Sequence, residues 1–315
     1  MSLIHPPRLN KGDRVALISP SGPVPTPESV DECAAELQRQ GYEVWVGNAA
    51  KNKLDYVAGT PAERVADLNH ALRDPDIRGI FCTRGGYGAI HLVRELDYEA
   101  FKNDPKVFAG FSDITALHGS FLSHSAVTTL HAATFASAFI TEGQKLVPEA
   151  RDAYFKLITT AEPLGSVREA MNWKEPWTLQ GGKARGRLIG GNLAVFASLI
   201  GTSFCPAPDG GILFLEDVGE EGYKIDRMLM QLITSGYLDR VEGIVLGQFT
   251  NSDPSVEGRD KVDTVIPRVL EEVNKPILAN FPIGHVPINV PLPIGLEAEL
   301  DADGGDLIVT EAFAK

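Results

Sequence analysis

No run of basic residues occurs anywhere in the 315-residue chain, and its formal net charge is -13. Binding a phosphate backbone needs clustered Lys and Arg, so this composition argues against a nucleic-acid partner. Long apolar stretches are missing as well: none reaches the length that spans a bilayer, and the opening MSLIHPPRLNKGDR lacks the apolar core of a signal peptide. The expectation is a soluble, cytoplasmic protein with no membrane partner. Cysteine is scarce. Cys33, Cys82 and Cys205 are isolated and odd in number, which fits buried reduced thiols better than disulfides or zinc. HExxH, paired-histidine, GxGxxG and Walker patterns are all absent, so neither a metallopeptidase nor a common nucleotide fold is signalled.

What is present is enough apolar sequence for about two cores. Arg14 to Ser19 is a continuous apolar run of the kind covered on both faces, followed by the turn PSGPVP. Glu28 to Gln40 has helical spacing and stops at Gly41. Tyr42 to Val46 reads as a strand, Pro61 to Leu72 as a helix with Pro61 in its first turn, and Gly79 to Thr83 as a third strand. After a glycine-rich turn and an amphipathic segment come the strand VFAGF, its helix, and a strand-like run from Ala126 to Leu130. This alternation predicts an α/β domain with a parallel sheet covered by helices on both faces, over residues 1–140. Residues 141–180, with scattered Pro, Glu and Trp and one helix over Pro148 to Thr159, read as a linker. A second domain over 181–315 begins with RLIGGNLAVFASLIG. It adds GILFLEDV, a helix over Tyr223 to Ser235, GIVLGQF and a helix over Val262 to Val273, then four β pieces suggesting a mixed or antiparallel sheet.

Ligands in such parallel sheets bind outside the carboxyl ends of the strands, where the turns SPSGP, TRGGYG and FSD fall. In Val107 to Ala116 (VFAGFSDITA) a strand passes through a sharp turn directly into a helix. Ser112 there is either a helix cap or a raised nucleophile with N–H groups beside it; Ile114 replaces the second glycine of a nucleophile elbow. The turn Thr83 to Gly88 offers backbone N–H groups for an oxyanion or a phosphate, and Arg84 is either a planar fork for a substrate carboxylate or a partner of a neighbouring loop. Glu216 and Asp217 end an apolar strand. Their neighbourhood, EDVGEEGYKID, lacks the spacing of a calcium loop. Among seven histidines, His285 sits on a loop shaped by Gly284 and flanking prolines, His131 ends a predicted strand near the same edge and competes as base, and His118 and His124 lie on the helix after Ser112. Trp173 and Trp177 are either a stacking platform or packing for the linker. Ser112, Glu216 and His285 share one explanation: a hydroxyl, the base that takes its proton, and an acceptor that fixes the imidazole tautomer.

GFSDITAL, TRGGYGA, LIGGNL, FLEDVGEEGYKIDRML, GIVLGQF and GHVPINVPLPIG together resemble the LD-carboxypeptidase family of serine peptidases, in register over nearly the whole chain. The family includes muropeptide LD-carboxypeptidases and microcin C immunity hydrolases. The resemblance implies a flavodoxin-like N-terminal domain, a β-rich swivelling C-terminal α/β domain and a homodimer, with no metal or organic cofactor. It implies Ser112 as nucleophile, Glu216 and His285 completing a triad, and the N–H groups of Gly86 and Asp113 as oxyanion hole. Arg84, Gly85 and Asn192 are further candidates for substrate binding. The implied reaction releases the terminal D-alanine of a cytoplasmic muropeptide during wall recycling. Two alternatives stay open: cleavage of acyl-sulfamoyl adenylates with a tryptophan stacked on the base, and a non-catalytic nucleotide- or sugar-binding α/β protein using TRGGYG as its cradle.

Overall fold

Apolar runs without polar alternation fold as strands covered on both faces. The computed structural model describes residues 3–252 and 260–315. Its first strands are β1 (Arg14–Ile18), β2 (Glu43–Val46), β3 (Ile77–Cys82), β4 (Val107–Gly110) and β5 (Thr129–His131). The others among the described residues are β6 (Pro163–Ser166), β7 (Trp177–Gln180), β8 (Lys183–Asn192), β9 (Gly211–Val218), β10 (Gly243–Thr250), β11 (Ile277–Ala279), β12 (Leu292–Ile294), β13 (Glu297–Asp301) and β14 (Asp306–Ala312).

The first sheet has the order β12-β5-β4-β3-β1-β2. Strands β1 to β5 are parallel in the order 2-1-3-4-5 of flavodoxin-like folds. The second sheet has the order β6-β14-β13-β8-β9-β10-β11-β7, with a parallel centre, β8 to β11, and antiparallel flanks. The α/β class and both architectures agree with the sequence. Helix Pro61–Arg73 starts where expected because Thr60 and Glu63 form a reciprocal capping box ahead of Pro61. Ala126 takes a left-handed conformation (φ 57°) to end helix Thr115–Ser125, so β5 begins three residues later than the apolar run suggests. The 141–180 segment carries helix Pro148–Thr159 and also supplies both edge strands of the second sheet, β6 and β7.

Alternation of side chains along the strands divides the core. On β1, Ala16 and Ile18 face a cluster with Leu68, Phe108 and Phe121, whereas Val15 and Leu17 face the opposite way. On β9, Leu213 and Leu215 face Leu193, Leu229 and Ile266, while Ile212 and Phe214 join Val15, Leu17, Phe81 and Leu130 in one shared cluster. The two sheets therefore pack through a common apolar layer. Strand β12 reinforces it: the chain leaves the second sheet and adds Leu292–Ile294 antiparallel to β5 of the first. Among the described residues no helix is long and apolar enough to cross a membrane.

Candidate active site

The turn after β4 sets the site. Phe111 is extended, and Ser112 adopts a left-handed conformation (φ 64°), rare for a residue with a Cβ, before helix Thr115–Ser125 begins. The bend raises Ser112 between two other turns. Glycine at 85 is needed for that approach: a Cβ there would lie 2.8 Å from Ser112 Cβ and 3.1 Å from its Oγ. Beside it, Gly86 (φ 117°) packs on Gly22, whose N–H donates to the Gly85 carbonyl at 2.9 Å.

Glu216 and His285 arrive from the second sheet. The register pairs Asn192 on β8 with Glu216 on β9, and the Asn192 backbone N–H donates to Thr115 Oγ1 at 3.0 Å. That bond fixes β8 against the helix following Ser112, which brings Glu216 to the serine's side. His285 lies on the loop that ends at β12. Its Nδ1 bonds Glu216 Oε2 at 2.7 Å and its Nε2 bonds Ser112 Oγ at 3.1 Å. A carboxylate only accepts, so Nδ1 donates and Nε2 is left to accept the serine proton. Glu216 is wholly buried and the His285 ring about one-fifth exposed. Gly284 (φ 120°) lets the loop reach the carboxylate, since a Cβ there would stand 2.9 Å from Oε2. The Phe111 ring packs on the imidazole with centroids 4.6 Å apart.

The histidines separate clearly. His118 bonds Thr129 Oγ1 and the Gly110 carbonyl, both at 2.8 Å, and burial lowers its pKa to about 4. His124 packs between the rings of Tyr98 and Phe204. His131, the competing base, is fully buried between Phe111 and Phe214 with neither ring nitrogen hydrogen-bonded, and burial holds its pKa well below the ordinary value. Asp217, the other carboxylate of the strand end, accepts from Asn192 Nδ2 and the N–H groups of Ala194 and Val218. Burial and then the neighbouring Glu216 push its pKa up to about 6.

The remaining candidates fall into two groups. Gly85, Gly86 and Asp113 lie at the serine. Asp113 is buried, and its carboxylate accepts from Ser21 Oγ at 2.5 Å and the Ala89 N–H at 2.8 Å. Arg84 is exposed and donates to the Pro23 carbonyl at 2.7 Å. The Asn192 side chain caps helix Leu193–Leu199 through Val195 and bonds Asp217, so its polar atoms are taken. Glu220 pairs with Lys224. Trp173 Nε1 donates to the Asn280 carbonyl, as packing requires, whereas Trp177 is 46% exposed and edges a cavity of about 510 Å³ with Leu179, Gln248, Phe249, Asp263 and Asn280. The three cysteines are free; burial raises the Cys33 thiol to about 12 and Cys205 to about 11.

Sequence reasoning missed Ser21 and Arg64. Arg64 is only 1% exposed, and its Nη1 donates to the carbonyls of Pro20 (2.7 Å) and Gly88 (2.9 Å). With the Asp113 bonds it ties the 20–22 turn, the 85–89 turn and the serine turn into one unit. A helical-spacing signal existed: Arg64 shares the face of Leu68, Ala71 and Leu72.

A serine on a strained strand-to-helix turn, an imidazole oriented by a buried carboxylate, and a glycine turn facing the serine make an arrangement suited to acyl transfer. Comparison with known proteins points the same way. Residues 15–132 match the LD-carboxypeptidase N-terminal domain and residues 185–300 the LD-carboxypeptidase C-terminal domain. A Streptomyces coelicolor protein, provisionally named a carboxypeptidase, is 39% identical over 97% of this chain and 96% of its own. The murein tetrapeptide carboxypeptidase of Pseudomonas aeruginosa is 31% identical over 92% of this chain and 94% of its own. The solved structure of the microcin C7 self-immunity protein MccF in complex with aspartyl sulfamoyl adenosine superposes with a TM-score of 0.85 at 27% identity, covering 99% of this chain and 100% of the other. The chain belongs to the LD-carboxypeptidase family of peptidases.

Proposed function

We propose that the protein is a serine LD-carboxypeptidase that releases the terminal D-alanine from muropeptide tetrapeptides. The observation that carries this reading is the hydrogen-bonded chain from Glu216 through His285 to Ser112, at 2.7 and 3.1 Å. Ser112 Oγ attacks the carbonyl carbon of the scissile bond while His285 Nε2 takes the hydroxyl proton. The negative charge that develops on the carbonyl oxygen is received by the N–H groups of Gly86 and Asp113. The C–N bond then breaks as the imidazolium returns its proton to the leaving amine, and D-alanine departs. Water attacks the acyl-enzyme, His285 accepts its proton, and Ser112 is restored. Throughout, Glu216 holds the imidazole tautomer and balances the imidazolium.

The name of the Pseudomonas relative supports a murein tetrapeptide substrate. Such a reaction belongs to peptidoglycan recycling in the cytoplasm, and a homodimer is part of the same reading. A second reading, hydrolysis of an acyl-sulfamoyl nucleoside, is favoured by the likeness to MccF and by the half-exposed Trp177 at its cavity. Mass spectrometry after incubation with L-Ala-γ-D-Glu-diaminopimelate-D-Ala separates them, using wild type, Ser112→Ala and an EDTA-treated sample. Release by wild type and EDTA-treated protein, but not by Ser112→Ala, is expected. No release from the tetrapeptide, with cleavage of aspartyl sulfamoyl adenosine, would establish the second reading. Release lost in EDTA would overturn the serine mechanism.

A further inference from the structure

A small cavity opens beside the catalytic histidine. It has a volume of about 30 Å³ and is lined by Phe111, Ala133, Ser137, Gln144, His285 and Asn289, among others. That is more than the room one water molecule needs, and enough for a carboxylate oxygen. Asn289 is 2% exposed. Its Oδ1 accepts the Gly284 N–H at 3.0 Å, which fixes the orientation of the amide because only oxygen can accept. The other end, Nδ2, is buried with no hydrogen-bond partner. A buried donor without an acceptor is costly, and Asn289 lines the cavity beside His285.

We propose that Asn289 Nδ2 receives the terminal carboxylate of the substrate, and that this contact is what confines cleavage to the last residue of a peptide. The inference rests on the serine carboxypeptidase reading. His285 must protonate the departing amine, so the leaving residue sits against His285, and its carboxylate lies within one residue of the scissile nitrogen. Ala133 and Phe111 line the same cavity, and a continuing chain has no terminal carboxylate to place there. Ser137 and Gln144 at the same cavity supply further polar groups. Recognition by a neutral amide leaves the carboxylate's charge uncompensated by any arginine, and that charge favours the imidazolium formed on His285 during the reaction. Arg84, with its guanidinium on the Pro23 carbonyl, is not required for this role.

The test compares kcat/KM for the tetrapeptide ending in D-alanine with that for the same peptide ending in D-alaninamide. Wild type is expected to prefer the free acid by about tenfold, because the bond from Asn289 to an ionised carboxylate is about twice as strong as the bond to the neutral carbonyl of the amide. Asn289→Asp keeps the acceptor for Gly284 but replaces the donor with a negative oxygen that repels the carboxylate and accepts from the amide, so the acid-to-amide ratio should fall to about 1 or below. A wild-type ratio near 1 overturns the proposal without recourse to any variant. A variant that loses both activities equally, with the ratio retained, also overturns it, since Asn289 would then only support the loop. If wild type releases neither D-alanine from the acid nor D-alaninamide from the amide, the carboxypeptidase reading falls and this inference falls with it.

Discussion

Replacing Glu216 with Gln separates orientation of the base from simple packing. Oε2 of the buried carboxylate accepts from His285, while Oε1 has no hydrogen-bond partner. Glutamine must place its NH2 at one of these two positions. At the Oε1 position it would be a buried, unsatisfied donor, at a cost of about 1–3 kcal/mol. Facing His285 it can donate to Nδ1, provided the ring carries its proton on Nε2. The second arrangement satisfies both groups and therefore dominates, and an Nε2–H cannot accept the Ser112 proton. Holding a triad histidine in the wrong tautomer lowers kcat about 10⁴-fold in the Ser-His-Asp template, equivalent to ~5 kcal/mol. For Glu216→Gln we expect kcat for D-alanine release to fall about 10³- to 10⁴-fold, with KM changed less than about threefold. Chromatographic quantification of D-alanine under saturating tetrapeptide measures this, with thermal melting as control. A kcat within tenfold of wild type would refute the tautomer argument. A collapsed melting temperature would show that Glu216 serves packing instead.

Two further outcomes concern stability. Because Ser112 sits at φ 64°, where a Cβ costs about 1 kcal/mol, Ser112→Gly should be more stable than Ser112→Ala by about that amount in urea unfolding, with both inactive; equal midpoints would contradict the strain. His131→Leu removes a buried imidazole whose nitrogens lack partners, so stability at pH 7 should rise by about 1 kcal/mol. The folded pKa of His131 is depressed, so the unfolded chain binds more protons once the pH drops below about 6.5, and wild type loses stability there. The gap between His131→Leu and wild type should widen from pH 7 to pH 5. A constant gap would mean that His131 titrates normally.

Much of the candidate site was legible because its backbone demands are local. A strand entering a turn at Phe111-Ser112 and a glycine before His285 announce special conformations in the residue string itself. What separates His285 from His131 is different in kind. Both end near the same sheet edge, and only the crossing of β12 back to the first sheet shows that one faces Glu216 and the other is sealed between Phe111 and Phe214. Arg64 was passed over because arginine in an amphipathic helix normally faces water; its carbonyl partners belong to turns 24 and 44 residues away, beyond local pattern. Strands β6 and β7 escaped for a related reason. They are four-residue edge strands whose identity comes from pairing with β14 and β11, not from their own composition.

The placement of β12 bears on when the protein can act. His285 is tethered on one side to the carboxylate of β9 and on the other, seven residues later, to the strand that completes the first sheet. During synthesis the serine turn emerges early, yet its base cannot be positioned until Leu292–Ile294 has found β5. Placement of His285 against Ser112 thus waits for antiparallel β12 to complete the first sheet, so a copy without that pairing is expected to be inactive.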